Sequence, residues 1–304
     1  MLSRHPPATA KNLNPHQRLL KESACLTRAR NGGRWLLLAW VGALWCAPAL
    51  ADLAVFPTRV VFEGSRRSAE LDLINPGTKA VVYRLKMVQR RMTENGEFLS
   101  IDTPMEGERF ADALVRFSPR QVELAPGGSQ VVRLMLRKPA GLEAGEYRSH
   151  LMFEEVAEIE ANKPSVPGAS PPNETSIKLT ATLNITMPVI VRHGETTASA
   201  KLSELELVQS PDGKPAAVFK IERSGNRSVY GNLAAYFTPV NGVERAVGGA
   251  TGVAVYAPYA SRKFQLALTP APEGVTGAGK LRVLFSSRPE DGGKFSAQAV
   301  SELH

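Results

Sequence analysis

The residues of this sequence that could act in catalysis or metal binding are the histidines beyond residue 51 and adjacent acids, and their spacing fits neither role. His150, His193 and His304 are far apart in the chain and form no motif of metal ligands. Glu154 and Glu155 are neighbours in a strand-like run, so their side chains point to opposite faces and do not form an acid–base pair. The sequence has no glycine-rich phosphate-binding motif and no G-x-S-x-G motif. We therefore expect no catalytic residue, no metal and no cofactor, and thus no enzyme.

The beginning of the sequence has the pattern of an export signal. Residues 35–47 (WLLLAWVGALWCA) form a short apolar run that follows three arginines and precedes an A-x-A cleavage pattern at residues 49–51. The run is shorter than the roughly 20 apolar residues that a membrane-spanning helix needs. We expect residues 1–51 to be a targeting segment that is cleaved after Ala51. An uncleaved N-terminal anchor is the alternative.

Removal of this segment changes the charge and the cysteine content of the chain. The full sequence has 37 Lys and Arg against 29 Asp and Glu, and seven of the basic residues and one of the acidic residues lie in the segment. The mature chain then has a net charge of about +2, which gives no reason to expect nucleic acid as a partner. Both cysteines, Cys25 and Cys46, leave with the segment, so we expect neither a disulfide nor thiol chemistry.

The remaining sequence reads as β-strands almost throughout. Short runs in which apolar and polar residues alternate, such as residues 130–136 (QVVRLML), are separated by Gly, Pro and Asn turn signals. Regular strands of this kind predict an all-β sandwich fold. A proline-rich stretch at residues 161–175 is expected to be a loop, and the pattern loosens after residue 192. We therefore predict two domains, residues 52–194 and 195–304.

Residues 177–191 form the longest alternating run, which we call the apolar stripe. Every odd position is apolar, and the even positions from 178 to 186 are Lys, Thr, Thr, Asn and Thr. As one strand the stripe would span roughly 50 Å, which is longer than usual strands. Part of it should therefore lie beyond the core of its domain or face a groove. The apolar residues of the stripe are Ile177, Leu179, Ala181, Leu183, Ile185, Met187, Val189 and Val191.

Two interpretations of the stripe remain open from the pattern itself. It could be a long core strand that bends between two sheets. It could also be a donor strand, whose backbone pairs with the open edge of a partner protein while its alternate side chains fill the partner's core. A long apolar edge promotes aggregation, so we also expect self-association of the free protein.

Four segments of the chain resemble the periplasmic pilus-assembly chaperone family. They are residues 57–64 (PTRVVFEG), residues 117–134, residues 146–151 (EYRSHL) and residues 188–192 (PVIVR). The resemblance implies two immunoglobulin-like β-sandwiches set at an angle. It also implies a periplasmic protein that binds pilus subunits through a donor strand, here residues 177–191, and passes them to an outer-membrane usher for assembly of a surface fibre. No small-molecule substrate is expected.

The resemblance also implies a site for the C-terminal carboxylate of the subunit, held by two basic residues between the domains. Arg59 matches the first of these residues. The lysine expected as the second falls at or near Pro188, and no lysine lies between Ala181 and Arg192. Arg59 could act alone, or another basic group such as Arg192 could replace the lysine. The family's counterpart of Arg192, however, belongs to an ion pair between the domains.

Two other classes of protein compete with this interpretation. A structural subunit of a surface fibre would need an N-terminal donor extension, for which residues 52–58 are short. A sandwich-fold hydrolase or carbohydrate-binding module would need a cluster of aromatic or acidic residues on one face. The low aromatic content, 7% of the sequence, does not favour such a module.

Overall fold

The computed structural model describes residues 53–156, 184–271, 274–275, 277–288 and 295–303, and these residues form β-strands joined by turns and loops. In these ranges no helix has the length and apolarity that crossing a membrane requires.

The first ten strands of the described ranges belong to one β-sandwich. They are β1 (Ala54–Phe56), β2 (Val60–Phe62), β3 (Ser68–Ile74), β4 (Val81–Met92), β5 (Phe98–Ile101), β6 (Val115–Ser118), β7 (Gln121–Leu124), β8 (Ser129–Leu136), β9 (Gly145–Glu155) and β10 (Asn184–His193). One sheet has the order β1-β3-β8-β6. The other has the order β2-β10-β9-β4-β5, with β7 also paired to β4.

The core of this sandwich follows directly from the alternation of apolar residues. Strand β3 (SAELDLI) buries Ala69, Leu71 and Leu73, because successive side chains of a strand point to opposite faces. These side chains pack in one hydrophobic cluster with residues of the opposite sheet, including Phe62 and Phe153. The burial of such large apolar side chains stabilises the sandwich by about 1.5–3 kcal/mol each.

The remaining described strands form a second β-sandwich. They are β11 (Ala198–Gln209), β12 (Pro215–Gly225), β13 (Val229–Pro239), β14 (Arg245–Val255), β15 (Ser261–Ala267), β16 (Gly279–Ser287) and β17 (Ser296–Leu303). One sheet has the order β11-β12-β15, and the other has the order β14-β13-β16-β17. Phe219, Phe237 and Phe285 are fully buried in its core. The predicted all-β fold of two β-sandwiches is thus confirmed.

The hairpin of β4 and β5 reaches from the first sandwich to the second. The amide of Lys263 donates a hydrogen bond of 2.8 Å to the carbonyl oxygen of Glu94 at the hairpin turn. Gly96 in the same turn has a φ of +88°, and a Cβ atom there would collide with the guanidinium of Arg262. The turn therefore favours glycine for its left-handed backbone conformation, whereas the Arg262 side chain could move to make room for a Cβ atom.

Several predicted features lie outside the described residues, and they stay predictions. They are the targeting segment at residues 1–51, the proline-rich stretch at residues 161–175, and the first half of the apolar stripe, which comprises Ile177, Leu179, Ala181 and Leu183. The predicted domain limits also stay predictions.

Candidate functional site

Strand β10 has one fully paired edge and one edge that is only partly paired. Along the first edge, β9 pairs antiparallel with residues 184–193. Along the second edge, β2 pairs parallel with Val189–Val191 only. Among the described residues, none pairs with this second edge at residues 184–188. The backbone groups that point outward there can accept another strand.

The odd-numbered face of β10 is part of the first core. Met187, Val189 and Val191 are buried in the cluster of the first sandwich, and Ile185 packs against it while partly exposed. The predicted donor residues Met187 and Val189 thus fill the protein's own core, because this face is covered by the opposite sheet. For this end of the stripe the structure matches the interpretation as a long core strand.

The even-numbered face of β10 is turned toward the second sandwich and is surrounded by basic residues. Pro188 is paired with His150 of β9, and Ile190 is paired with Arg148. Arg59 directly precedes β2. Because Val60 of β2 is paired with Val189 of β10, Arg59 lies level with Pro188, on the side of β10 opposite to β9. Two arginines and a histidine therefore share one face of the sheet around a proline that carries no charge.

Aromatic side chains of the second sandwich cover these basic groups. The guanidinium carbon of Arg59 lies 4.1 Å from the ring centre of Tyr230, and that of Arg148 lies 4.2 Å from the ring centre of Tyr256. Both distances are within the range of cation–π interactions. The ring of Phe98, from the β4–β5 hairpin, stands edge-on to His150 with 5.4 Å between ring centres.

A cavity opens beside Arg59, between the start of β2 and the second sandwich. Its wall includes the basic residues Arg59, Arg66 and Arg288, and Glu63 is the one acidic residue among the described residues that line it. Tyr230 forms the aromatic part of the wall. A cavity with this charge suits an anion, and a guanidinium can bind a carboxylate through two hydrogen bonds.

A network of ion pairs next to the cavity joins the two sandwiches. The guanidinium of buried Arg192 donates hydrogen bonds of 2.9 Å to Glu63 and 3.2 Å to Glu146. From the second sandwich, Arg227 donates to Glu63 at 3.3 Å, and the amide of Ser228 donates to Glu146 at 3.2 Å. The hydroxyl of Ser228 also donates to Glu146. Glu63 and Glu146 are thus held by both sandwiches.

The two predicted anchor residues therefore have different surroundings. Arg59 lines the basic cavity, whereas Arg192 is 3% exposed and bonded to two carboxylates of the protein itself. The position of Arg192 matches the ion pair between domains that was its alternative role. Its anchor role and that of Arg59 stay predictions.

Sequence reasoning missed Arg148, and for His150 it concluded only that the residue belongs to no metal-binding motif. His150 is 4% exposed, and burial together with the charges of Arg148 and Arg90 lowers its pKa to about 3. The imidazole is therefore neutral at physiological pH. In the part of the chain that the structure describes, no group of His, Cys, Asp and Glu residues could hold a metal ion.

Comparisons with known proteins find similarity only at the level of solved structures. No family model and no curated protein matches the sequence. The Pseudomonas aeruginosa CupB2 chaperone is 16% identical, over 83% of this chain and 100% of its own, with a TM-score of 0.42. The CsuC–CsuE chaperone–tip subunit complex of Acinetobacter baumannii archaic Csu pili is 12% identical, over 83% of this chain and 98% of its own, with a TM-score of 0.42. The Salmonella enterica complex of SafA pilin with the SafB chaperone is 15% identical, over 84% of this chain and 99% of its own, with a TM-score of 0.39. These identities and TM-scores are too low to bear on the function of this chain.

The buried, neutral state of His150 predicts a loss of stability in mild acid. Its folded pKa lies below the unfolded value of about 6.5, so the unfolded state takes up a proton that the folded state does not as the pH falls. Between pH 7 and pH 5 this uptake should reduce the free energy of unfolding by about 2 kcal/mol. Urea unfolding followed by circular dichroism at both pH values should show a smaller reduction for His150→Gln. An equal reduction in the variant would contradict this origin.

The ion-pair network predicts that Arg192→Gln is strongly destabilising. The substitution leaves the buried carboxylate of Glu146 without its cationic partner, which should lower the free energy of unfolding by about 3–5 kcal/mol. The matched control is Arg133→Gln, which breaks an exposed pair with Glu70 and should change it by about 1 kcal/mol or less. Similar urea midpoints for the two variants would show that the network contributes little.

Proposed function

We propose that this protein is a periplasmic chaperone that binds pilus subunits by donating an edge strand and delivers them, through an outer-membrane usher, for assembly of a surface fibre. The observation that carries the proposal is the outer edge of β10 at residues 184–188, with which no strand of the described ranges pairs. The apolar stripe precedes this edge directly in the sequence, so a long edge with an alternating apolar face would be available to a partner.

The topology defines how a partner strand would bind. Strand β2 occupies the row next to β10 only from Val60 onward and runs parallel to it. A partner strand that pairs with residues before Pro188 would occupy the same row. If it also runs parallel to β10, its C-terminal end lies next to Arg59, at the point where β2 begins. Strand addition of this type is how chaperones complement pilins.

The side chains of the stripe would supply most of the binding energy. Ile185 and Met187 lie at the first core of this protein, so the residues that could fill a groove of the partner are Ile177, Leu179, Ala181 and Leu183. Burial of the three large side chains would contribute roughly 5–9 kcal/mol before the costs of association and ordering are subtracted.

The end of the partner strand would meet the basic cavity. A C-terminal carboxylate at that point lies beside Arg59, whose guanidinium stays charged at any pH met in the periplasm. The surrounding wall, with Arg66 and Arg288 against one acidic residue in the described part of the lining, favours an anion. We propose that Arg59 binds the carboxylate of the subunit's C-terminus.

The donor-strand proposal predicts the loss of subunit capture when charges enter the stripe. Leu179→Asp with Leu183→Asp would place two carboxylates in an apolar groove, which costs several kcal/mol. The matched control is Thr180→Asp with Thr182→Asp, which adds the same charge at even positions. Wild type and control should co-purify from periplasm with a small β-rich subunit, identified by mass spectrometry, and the stripe variant should not. Retention of the subunit by the stripe variant would contradict the proposal.

The anchor proposal predicts that Arg59→Gln weakens subunit binding by about 1.5–3 kcal/mol, the range for a hydrogen-bonded charged group. Titration calorimetry with purified subunit measures this change. The control is Arg133→Gln, which changes an exposed side chain of β8. Wild type should also bind a subunit extended by two residues at its C-terminus more weakly, whereas Arg59→Gln should not distinguish the two subunits. If the extension weakens binding to Arg59→Gln as much as it weakens binding to wild type, the anchor proposal is contradicted.

A further inference from the structure

Arg148 is a buried cation whose hydrogen-bonding capacity is largely unused. Its side chain is 9% exposed, and its Nε and Nη1 atoms have no hydrogen-bond partner among the residues that the structure describes. Burial lowers its pKa, while the neighbouring Tyr256, Glu146 and Glu108 act to raise it. A guanidinium is not deprotonated in proteins, so this group is a buried charge. Such a group is costly unless an anion accepts its hydrogen bonds.

The two nearby carboxylates are already bonded to other groups. Glu108 accepts hydrogen bonds of 3.0 and 2.7 Å from Arg91 and one of 2.9 Å from the amide of Met105. Glu146 accepts its hydrogen bonds from Arg192 and Ser228, as described above. Neither carboxylate is hydrogen-bonded to Arg148 in the described structure. An anion from outside the described residues is therefore the fitting partner.

Arg148 shares a sheet face with Arg59, and each of the two stacks on a tyrosine of the second sandwich. Arg148 is paired with Ile190 and is separated from Arg59 by the single strand β10. Neighbouring strands are about 4.8 Å apart, so an arginine side chain can extend over β10 toward the row of β2. Burial raises the pKa of Tyr256, while the charges of Arg59 and Arg148 both lower it. Each guanidinium stacks on a tyrosine ring of the second sandwich, Arg59 on Tyr230 and Arg148 on Tyr256.

We infer that Arg148 is the second cationic group of the carboxylate site, next to Arg59. The inference rests on the function proposed above. The side chain at position 188 is a proline without charge or donor, and Arg148 supplies both from the neighbouring strand. The described lining of the cavity beside Arg59 holds three arginines and one glutamate, so the field there is positive. A bound carboxylate is the group that such a field favours.

The direct test uses wild-type protein labelled with ¹⁵N-arginine and a small probe, N-acetyl-leucine, which carries the carboxylate of a chain end. Its amide, N-acetyl-leucinamide, is the neutral control. At millimolar concentrations the carboxylate, and not the amide, should shift the Nε–H signals of both Arg59 and Arg148. The signals are assigned from Arg59→Gln and Arg148→Gln. A shift of Arg59 without Arg148, or equal shifts with the amide, would overturn the inference.

Variants test the same point by affinity. Arg148→Gln should weaken binding of N-acetyl-leucine by about tenfold or more, because a charge-assisted hydrogen bond is lost. The matched control is Arg262→Gln, another arginine over an aromatic ring, which donates to the carbonyl oxygen of Ala254 at 3.0 Å. Wild-type affinity in Arg148→Gln would overturn the inference. If Arg148→Gln misfolds, Arg148→Lys, which keeps the charge, supplies the assignment of the Arg148 signal, and the wild-type titration still decides the question.

The probe also separates this inference from the proposed function. N-acetyl-leucine binds without any subunit, so its titration reports on the two arginines of the carboxylate site and not on the donor strand. If both arginine signals shift while the stripe variant still captures the subunit, the carboxylate site stands and the donor-strand function fails. If the stripe variant loses the subunit while Arg148→Gln binds subunit and probe like wild type, the function stands and the role of Arg148 fails.

Discussion

The pairing of β10 with β9 is the interaction on which the rest of the site depends. This register fixes which side chains of β10 enter the first core and which face the second sandwich. It also brings Arg148 and His150 to the same face as Ile190 and Pro188. Since side chains alternate with a period of two, a shift of β10 by one residue would turn Met187 and Val189 toward the second sandwich and Arg192 into the first core. The apolar residues from Met187 to Val191 prevent this shift.

Charged groups between the sandwiches complement this apolar packing. Glu63 is bonded to Arg192 and to Arg227 of the second sandwich, and Glu146 is bonded to Arg192 and to Ser228 of the second sandwich. A buried network of this kind adds little stability compared with apolar contacts of equal size. Its geometry, however, is satisfied in only one arrangement of the two sandwiches. The apolar contacts and the β4–β5 hairpin supply attraction, and the ion pairs select the arrangement in which the cavity beside Arg59 is formed.

Much of the fold could be predicted from the sequence, because alternation and turn residues are local signals. The strands and the two-sandwich architecture follow from them. The prediction that part of the apolar stripe lies beyond the core did not say which residues enter the core, since a period of two does not say what covers an apolar face. The structure shows that Met187 lies under the opposite sheet. Arg148 was missed because its site arises from pairing with Ile190, far away in the chain. Arg59 was found only through the resemblance of its segment to a known family.

The parallel pairing of β2 with β10 has a consequence for which proteins the edge can accept. A strand that adds to β10 can slide only in steps of two residues, about 6.6 Å, if its apolar side chains are to keep facing the same way. Strand β2 occupies this row from Val60 onward, so an added strand cannot extend past that point. Under the proposed function, recognition would then depend on where a partner chain terminates rather than on its sequence. One protein of this design could serve a whole set of dissimilar clients that share only the distance from their last residue to their open groove.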